Sequence, residues 1–497
     1  MDKNTLVTEK SGGAEAPPNN KQAPPLLVFI PSPGRGHLSA TLEMAKLLVD
    51  RDEHLSITVL VIKPSYDPKG TAHSYSDHFS ETNPKIRFVD IPQVEYSPTT
   101  SSFHFPEFIE SHKNHVRDEV AKITSAPGSE SKLVGLIVDI FCVSMINVAD
   151  EFGIPTYVFF TSGAAMLGLL FHFQGQLDDQ NNDLMVNVDS NEELFIPSYL
   201  SPVSPKLLPS ILFDKDINKI FMSLTRMLRR SRGIIINTFL ELEIPAMKFL
   251  SEDEKSPPVY SVGPILHVDS GDEQNPKYEE IMKWLDEQPD SSVVFLCFGS
   301  QGCFDEVQVK EIAMALEKSG HRFLWSLRKP PGENRLETPG EYENPSEILP
   351  EGFIERTLGI GKVIGWAPQV AVLSHRSVGG FVSHCGWNST LESLWCGVPM
   401  AVWPLFAEQS MNAFQLVRDL GVAVEINMEY KKSSAGANMI VRADEIENGI
   451  RHLMEPVSDI RVKMEAMKVK SRMAIVENGS SFESVGQFIS DIMVNIA

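Results

Sequence analysis

A chain of 497 residues with 42% hydrophobic side chains has the length for two or three domains and enough apolar residues to fill their cores. Its net charge of −22 argues against nucleic acid and against an anionic membrane surface as partners, so an anionic ligand must be held by local dipoles. The cysteines Cys142, Cys297, Cys303, Cys385 and Cys396 include no CxxC pair and no zinc spacing, which points to free thiols in a reducing compartment.

Residues 1–24 carry charges, Gly12-Gly13, Pro17-Pro18 and Asn19-Asn20, and little to bury. They are expected to be a disordered tail without the apolar stretch of a secretory signal. Leu26-Leu-Val-Phe-Ile30 reads as a buried parallel-type strand, and Pro31-Ser-Pro-Gly-Arg-Gly-His37 as the loop after it. A helix through Leu42, Met44, Ala45, Leu47 and Leu48 and a strand Leu55–Ile62 follow. This start predicts a doubly wound α/β domain, in which ligands sit at the carboxyl ends of the strands. Gly34-x-Gly36 is not a full dinucleotide fingerprint, and no P-loop lysine follows it.

His37 stands where strand gives way to helix. A solitary histidine there is often structural. The other reading is a general base, because an imidazole is half-titrated near neutrality. A base needs an orienting partner. Val134-Gly-Leu-Ile-Val-Asp139 is another buried strand, and it ends in a carboxylate. Loops after such strands converge on one sheet edge, so His37 and Asp139 can meet.

Gly153 to Leu177 lacks Asp, Glu, Lys and Arg, but Pro155 and Thr161-Ser162-Gly163 interrupt it, so strand–turn–helix fits better than a membrane span. Further strands are expected at Arg87–Ile91, Thr156–Phe160 and Gly233–Asn237. Gln93–His115 and Ser190–Phe221 are long and rich in Pro, Ser and Phe, and they read as loops that wall a pocket. Arg226-Met-Leu-Arg-Arg-Ser-Arg232 reads as a solvated helix end. Proline-rich and acidic stretches place a linker at 256–282, after a first domain at 25–255 and before a second at 283–475. In the second domain a strand Ser292–Phe298, a helix Glu306–Lys318 and a strand Phe323–Leu327 continue the alternation, and Lys329–Pro350 is a polar loop expected to be mobile.

The densest stretch runs from Trp366 to Gln409. Val378–His384 reads as a buried strand, Cys385-Gly386 as a tight turn, and Trp387–Cys396 as a helix that Gly397 stops and Pro399 keeps from resuming. A strand from Met400 to Trp403 closes the unit. The first N–H groups of a helix lack internal partners and carry partial positive charge, so this entrance is an anion site. His384, Trp387, Asn388 and Ser389 surround it with donors suited to a diphosphate. Glu392, one turn on, suits the paired hydroxyls of a ribose. Trp366 offers a flat face to a base, and Glu408 and Gln409 suit sugar hydroxyls. Singly, each has a structural explanation: Trp366 as core packing, Asn388-Ser389 as an N-cap. Together they converge on one helix start. After this stretch, Ser410–Leu420, Ala443–Met454, Asp459–Ile475 and Ser484–Ile496 read as helices.

The stretch resembles the signature box of the plant-type UDP-dependent glycosyltransferases, family 1 of the inverting enzymes. The resemblance implies that Trp366 stacks on uracil and that Ala367 and Gln369 line the uridine site. It implies that His384, Trp387, Asn388, Ser389 and Ser300 meet the diphosphate, Glu392 the ribose, and Glu408 and Gln409 the sugar. A terminal Gln usually accompanies glucose in this family. Where the family most often has Asp before that Gln, this chain has Glu408. His37 matches the family's catalytic histidine, Asp139 its partner, and Thr161 a position that often touches the sugar. Residues 476–497 would form a helix that crosses back to the first domain.

The expectation is therefore a GT-B fold: two doubly wound parallel-sheet domains facing across a cleft. The activity would be inverting transfer of glucose from UDP-glucose to a hydroxyl of a small hydrophobic plant metabolite, a flavonoid, other phenol or terpenoid. The donor is a substrate, and neither a cofactor nor a metal is expected. Phe141 and Phe406 are candidates for the acceptor pocket. A cytoplasmic monomer is expected, since a glycan on the Asn388-Ser-Thr sequon would block the phosphate site. Rival readings are the same fold with another UDP-sugar, a non-catalytic UDP-sugar binder, and a sugar-nucleotide epimerase or reductase, for which the full GxGxxG is missing.

Overall fold

The structure is a computed structural model that describes residues 24–63, 79, 82–95, 105–125, 131–180, 187–188, 190–266, 276–331, 339–430 and 439–494. The expected tail and part of the polar loop after Lys329 lie outside the described residues.

The first sheet is parallel and seven-stranded, in the order β3-β2-β1-β4-β5-β6-β7. Its strands are β1 Pro25–Ile30, β2 Ser56–Val61, β3 Ile86–Asp90, β4 Lys132–Asp139, β5 Thr156–Phe160, β6 Gly233–Ile236 and β7 Val259–Ser261. Every residue of β5 and β6 is buried, as helices on both faces of a parallel sheet require. The strand order reverses between β1 and β4, where Ile30 pairs with Val138. The segments leaving these two strands therefore open side by side into the crevice where doubly wound sheets bind ligands.

The second sheet is parallel and six-stranded, in the order β12-β9-β8-β13-β14-β15. Its strands are β8 Val293–Cys297, β9 Arg322–Ser326, β12 Gly361–Ile364, β13 Val378–Ser383, β14 Met400–Val402 and β15 Ala423–Glu425. The intervening β10 Arg328–Lys329 and β11 Gly340–Glu341 form a separate short hairpin. Here the order reverses between β8 and β13, where Cys297 pairs with Ser383. One apolar cluster runs from Val28 and Ile30 of the first sheet to Phe295 and Phe381 of the second and includes Trp387, so the halves share a continuous core.

Several expectations change. The first sheet continues to β7, six residues past the boundary expected at 255, because Val259-Tyr-Ser261 pairs with β6. The helix after β1 starts at Arg35, so His37 lies in its first turn; Gly34, at φ 144°, turns the chain immediately before it. Gln93–His115 is not all loop: helices occupy Phe105–Ser111 and Lys113–Ser125. Ser190–Phe221 ends in a helix Lys215–Arg229, capped by the Asp214 side chain on the N–H groups of Asp216 and Ile217. Ser410–Leu420 is a helix Gln409–Phe414 followed by a π-helical turn Gln415–Asp419. The strand β12 adds to those read from the sequence; it is half-buried along its length and includes Lys362, so it lacks the continuous apolar run of a central strand. The arginines at the end of the Lys215–Arg229 helix pair with carboxylates: Arg226 with Asp178, Arg229 with Asp253 at 2.8 Å and Arg230 with Asp150 at 2.7 Å. Among the described residues, no helix is long and apolar enough to cross a membrane.

The last helix, Ser480–Met493, returns to the first sheet. Phe488 is fully buried between the rings of Tyr157 and Tyr260, at centroid distances of 5.1 and 5.3 Å, and the Tyr260 hydroxyl donates to Asp491 at 2.6 Å. Truncating Phe488 to alanine is expected to cost about 3–5 kcal/mol through lost burial and a residual cavity. A urea titration of the variant measures this.

Candidate active site

At the switch point of the first sheet, β1 delivers His37 and β4 delivers Asp139. The His37 Nδ1 lies 2.7 Å from Asp139 Oδ2. The carboxylate is buried, whereas the imidazole side chain keeps 32% of its surface open. With Nδ1 donating to the carboxylate, Nε2 is left with a lone pair. Burial pulls the basicity of His37 down, but the charge and hydrogen bond of Asp139, helped by Glu408, outweigh it and leave His37 above its ordinary value. The other carboxylate oxygen, Oδ1, accepts from the Ser32 hydroxyl and from the Phe141 N–H at 3.1 Å. Thr161 Oγ1 lies 3.0 Å from His37 Nδ1 and donates to Asp139 Oδ2 at 3.4 Å. Its hydroxyl is therefore engaged with the histidine–carboxylate pair, where the family resemblance implied a sugar contact.

At the switch point of the second sheet, the helix Trp387–Cys396 begins just after β13. Cys385 takes a positive φ of 61° to make the turn, and no side chain caps the helix start at Gly386. The first-turn N–H groups are thus left for a ligand, and the helix dipole adds positive charge there. Gly397 ends the helix in the left-handed conformation at φ 76°, as the sequence predicts.

His384 lies behind this entrance. Burial pushes its pKa down to about 4, so the ring is neutral, and its buried Nδ1 has no hydrogen-bond partner among the described residues. A Cβ at Gly299 would lie 2.6 Å from His384 Nε2, and one at Gly386 would lie 2.5 Å from it, so only glycines leave room for the ring. Ser300, in the turn after β8, is exposed. The Gln369 amide donates to Ser389 Oγ at 2.7 Å and to Glu392 Oε2 at 2.5 Å, which ties three of the expected residues together. Trp366 and Ala367 are half-buried just ahead of the helix Gln369–Ser374.

The Trp387 side chain reaches across to the first domain, where its indole N–H donates to the Asn237 carbonyl at 2.7 Å. Its backbone N–H stands at the helix start. The two domains meet closely here. A Cβ on Gly36 would lie 3.9 Å from Asn388 Nδ2, so the helix starts that carry His37 and Asn388 face each other. Glu408 accepts from Ser162 of the first domain at 3.4 Å, and burial raises its pKa. Gln409 spends its carbonyl oxygen on the N–H groups of Leu405 and Phe406, at 2.9 and 3.1 Å, which turns its amide nitrogen the other way.

Residues 257–446 match the family model described as UDP-glucoronosyl and UDP-glucosyl transferase. UDP-glycosyltransferase 71E1 of Stevia rebaudiana is 52% identical over 94% of this chain and 98% of its own. The chain belongs to the plant UDP-glycosyltransferase family. The transferase is also 48% identical to UDP-glucose flavonoid 3-O-glucosyltransferase 6 of Fragaria ananassa, over 94% of this chain and 99% of the relative. A crystal structure of a Medicago truncatula relative complexed with UDP-glucose superposes with a TM-score of 0.83 at 41% identity, covering 95% of this chain and 99% of the other. A Siraitia grosvenorii relative complexed with UDP gives a TM-score of 0.83 at 44% identity, over 94% and 100%. The fold of the transferase is GT-B.

Sequence reasoning passed over Ser32, Ser162, Asn237 and Glu243, which hold the centre together. Of these, Glu243 alone left a trace: a carboxylate in the mostly apolar run Phe239-Leu-Glu-Leu-Glu-Ile244. A Cβ on Gly163 would lie 2.8 Å from both the Trp387 ring and Glu243 Oε1. Gly163→Ala should therefore cost the transferase about 1–3 kcal/mol by overpacking. The loss should appear in the thermal midpoint and as slower turnover, since the displaced ring opens the domain seam.

Proposed function

We propose that the transferase moves glucose from UDP-glucose to a hydroxyl of a small aromatic acceptor with inversion at the anomeric carbon. The observation that carries this reading is the pairing of His37 with Asp139 opposite an uncapped helix start. His37 Nε2 takes the proton of the acceptor hydroxyl, and Asp139 steadies the imidazolium that forms. The acceptor oxygen forms its bond to the anomeric carbon while the bond to the UDP oxygen breaks on the opposite face. UDP leaves with the bonding pair, and the first N–H groups of the Trp387–Cys396 helix meet its charge. In this reading no metal is required. Trp366, Ala367 and Gln369 hold the uridine, Glu392 the ribose, and Asn388, Ser389 and Ser300 the diphosphate. The His384 side chain, with a buried nitrogen that has no partner among the described residues, supplies shape and a donor behind them.

The sugar lies between Glu408 and the amide nitrogen of Gln409. Glucose is favoured by the Gln409 terminus of the box and by the UDP-glucose complex of the Medicago truncatula relative. An aromatic acceptor is favoured by the rings beside the base. Phe141 lies 5.6 Å from the His37 ring and makes edge contacts with Phe105 at 5.3 Å and Phe221 at 6.2 Å. Phe406 is 42% exposed and three residues before Gln409, which leaves its ring available to an acceptor. The buried free thiols Cys142, Cys297, Cys303 and Cys385 suit a reducing compartment, which supports a cytoplasmic location.

A UDP-release assay over a panel of phenols, with products read by mass spectrometry, tests the reading. UDP-glucose should outpace UDP-galactose, and EDTA should leave the rate unchanged. His37→Ala should lower kcat by about two to four powers of ten while UDP binding, read by calorimetry, stays intact. Near-normal turnover by that variant would refute the base assignment. The pH dependence has a definite sign. The base works only without its proton, and its pKa is raised above the ordinary 6.5, so kcat/KM should fall as pH drops through a midpoint above that value.

A further inference from the structure

The remote oxygen of Asp139 is as closely held as the one that faces His37. Ser32, two residues past β1, is almost fully buried, and its hydroxyl donates to Asp139 Oδ1. The Phe141 N–H reaches the same oxygen, and the Cys142 thiol lies 3.6 Å from the Ser32 oxygen on the far side. We propose that Ser32 is a positioning residue: its hydroxyl holds Asp139 Oδ1, keeps Oδ2 aimed at His37 and draws charge away from the oxygen that faces the imidazole.

The argument is electrostatic. A carboxylate shares one negative charge between two oxygens. A hydroxyl on Oδ1 stabilises charge there and lowers what Oδ2 presents to the imidazole. It also fixes the rotation of the carboxylate, so that Oδ2 stays aimed at Nδ1. Without the hydroxyl, Oδ1 keeps the Phe141 N–H, the charge shifts toward Oδ2, and His37 binds its proton more tightly. That would leave less free base at neutral pH.

The Phe141 N–H also reaches Oδ1, but it is a backbone group that a substitution at Ser32 leaves in place. His37 faces Asp139, the Thr161 hydroxyl, the Phe141 ring and, from the second domain, Glu408. Asp139 faces Ser32, Cys142 and the Phe141 N–H as well. Burial and the neighbouring carboxylate hold the Cys142 thiol in its neutral form. Removing the Ser32 hydroxyl therefore changes the dipole on Asp139 without changing any charge in the site.

The test uses full-length Ser32→Ala, with histidine-labelled protein titrated by NMR and His37→Gln used to assign the resonance. The His37 midpoint should rise by about half a pH unit or more, roughly a threefold gain in proton affinity. The acid limb of kcat/KM should move up with it. Ser32→Cys, a weaker donor, should fall between, and it carries the test if the alanine variant does not fold. A folded variant whose His37 midpoint stays in place or moves down would overturn the inference, even with a reduced kcat, because a purely structural role predicts a slower enzyme with an unmoved midpoint.

The kinetic arm rests on His37 being the base, and the NMR arm does not. If His37→Ala remains active while the midpoint still moves, the functional reading fails and this inference stands. If His37→Ala is inactive and the midpoint does not move, only this inference fails.

Discussion

The hydrogen bond from the Trp387 indole to the Asn237 carbonyl fixes the relation between the two halves of the molecule. Trp387 is the first residue of the helix whose start forms the anion site, and Asn237 follows the sixth strand of the other domain. Asn237 is itself held, since its side chain exchanges two hydrogen bonds with the Ile265 backbone, at 2.7 and 3.0 Å. The helix start is thereby set in register with the sheet that presents His37. A second row of contacts keeps that register. Ser410 donates to the Leu207 carbonyl at 2.6 Å, and Asp419 accepts from the N–H groups of Leu200 and Ser201 at 3.1 and 3.0 Å. The π-helical turn Gln415–Asp419 supplies two of the side chains that reach the first domain, in keeping with the tendency of such turns to sit at functional places.

Both domains solve the same problem in the same way. A doubly wound sheet has one place where neighbouring strands send their connections to opposite faces, and the gap between those connections is open to a ligand. In the first domain that gap holds the end of β1 and the end of β4, hence His37 and Asp139. In the second it holds the end of β8 and the end of β13, hence the Gly299-Ser300 turn and the start of the Trp387–Cys396 helix. Turning the two gaps toward each other places the His37–Asp139 pair on one wall and an uncapped helix start on the other. The acidic net charge does not set the field at that helix start, which comes from nearby backbone dipoles.

Legibility in the sequence followed the range of the physics. Strands buried on both faces, such as Val134–Asp139, and a helix bounded by glycine on both sides could be read directly, because their signals lie within a few residues. The Trp366–Gln409 stretch was legible for the same reason: its residues share one local unit. The pairing of His37 with Asp139 was legible through topology, since both end strands that become neighbours. The contact of the Trp387 side chain was not, because its partner is the backbone of a residue 150 positions earlier. A main-chain carbonyl carries no residue-type signal. The contact of Thr161 with the His37–Asp139 pair was not legible for a related reason, since a hydroxyl at that turn serves a sugar or a carboxylate equally well. The loops expected at Gln93–His115 and Ser190–Phe221 turned out partly helical because Pro and Phe were weighed as breakers and surface. Pro106 instead sits in the first turn of its helix, where the ring is tolerated.

Glu243 shows how the structure resolves its sharpest local conflict. A fully buried carboxylate is costly, and burial raises its pKa. The cost is offset by its place at the start of the helix Ala164–Gln180, where its two oxygens accept from the N–H groups of Ala164 and Ala165 at 2.8 and 2.9 Å. The helix dipole favours negative charge at that end. Gln415 of the second domain reaches the same carboxylate at 3.4 Å, and the Trp387 ring packs alongside, above Gly163. One side chain therefore caps the helix, braces the turn Thr161–Gly163 and touches the neighbouring domain. Because that turn carries Thr161 onto the His37–Asp139 pair and Ser162 onto Glu408, the orientation of the histidine and the position of the Glu408 carboxylate share a single anchor.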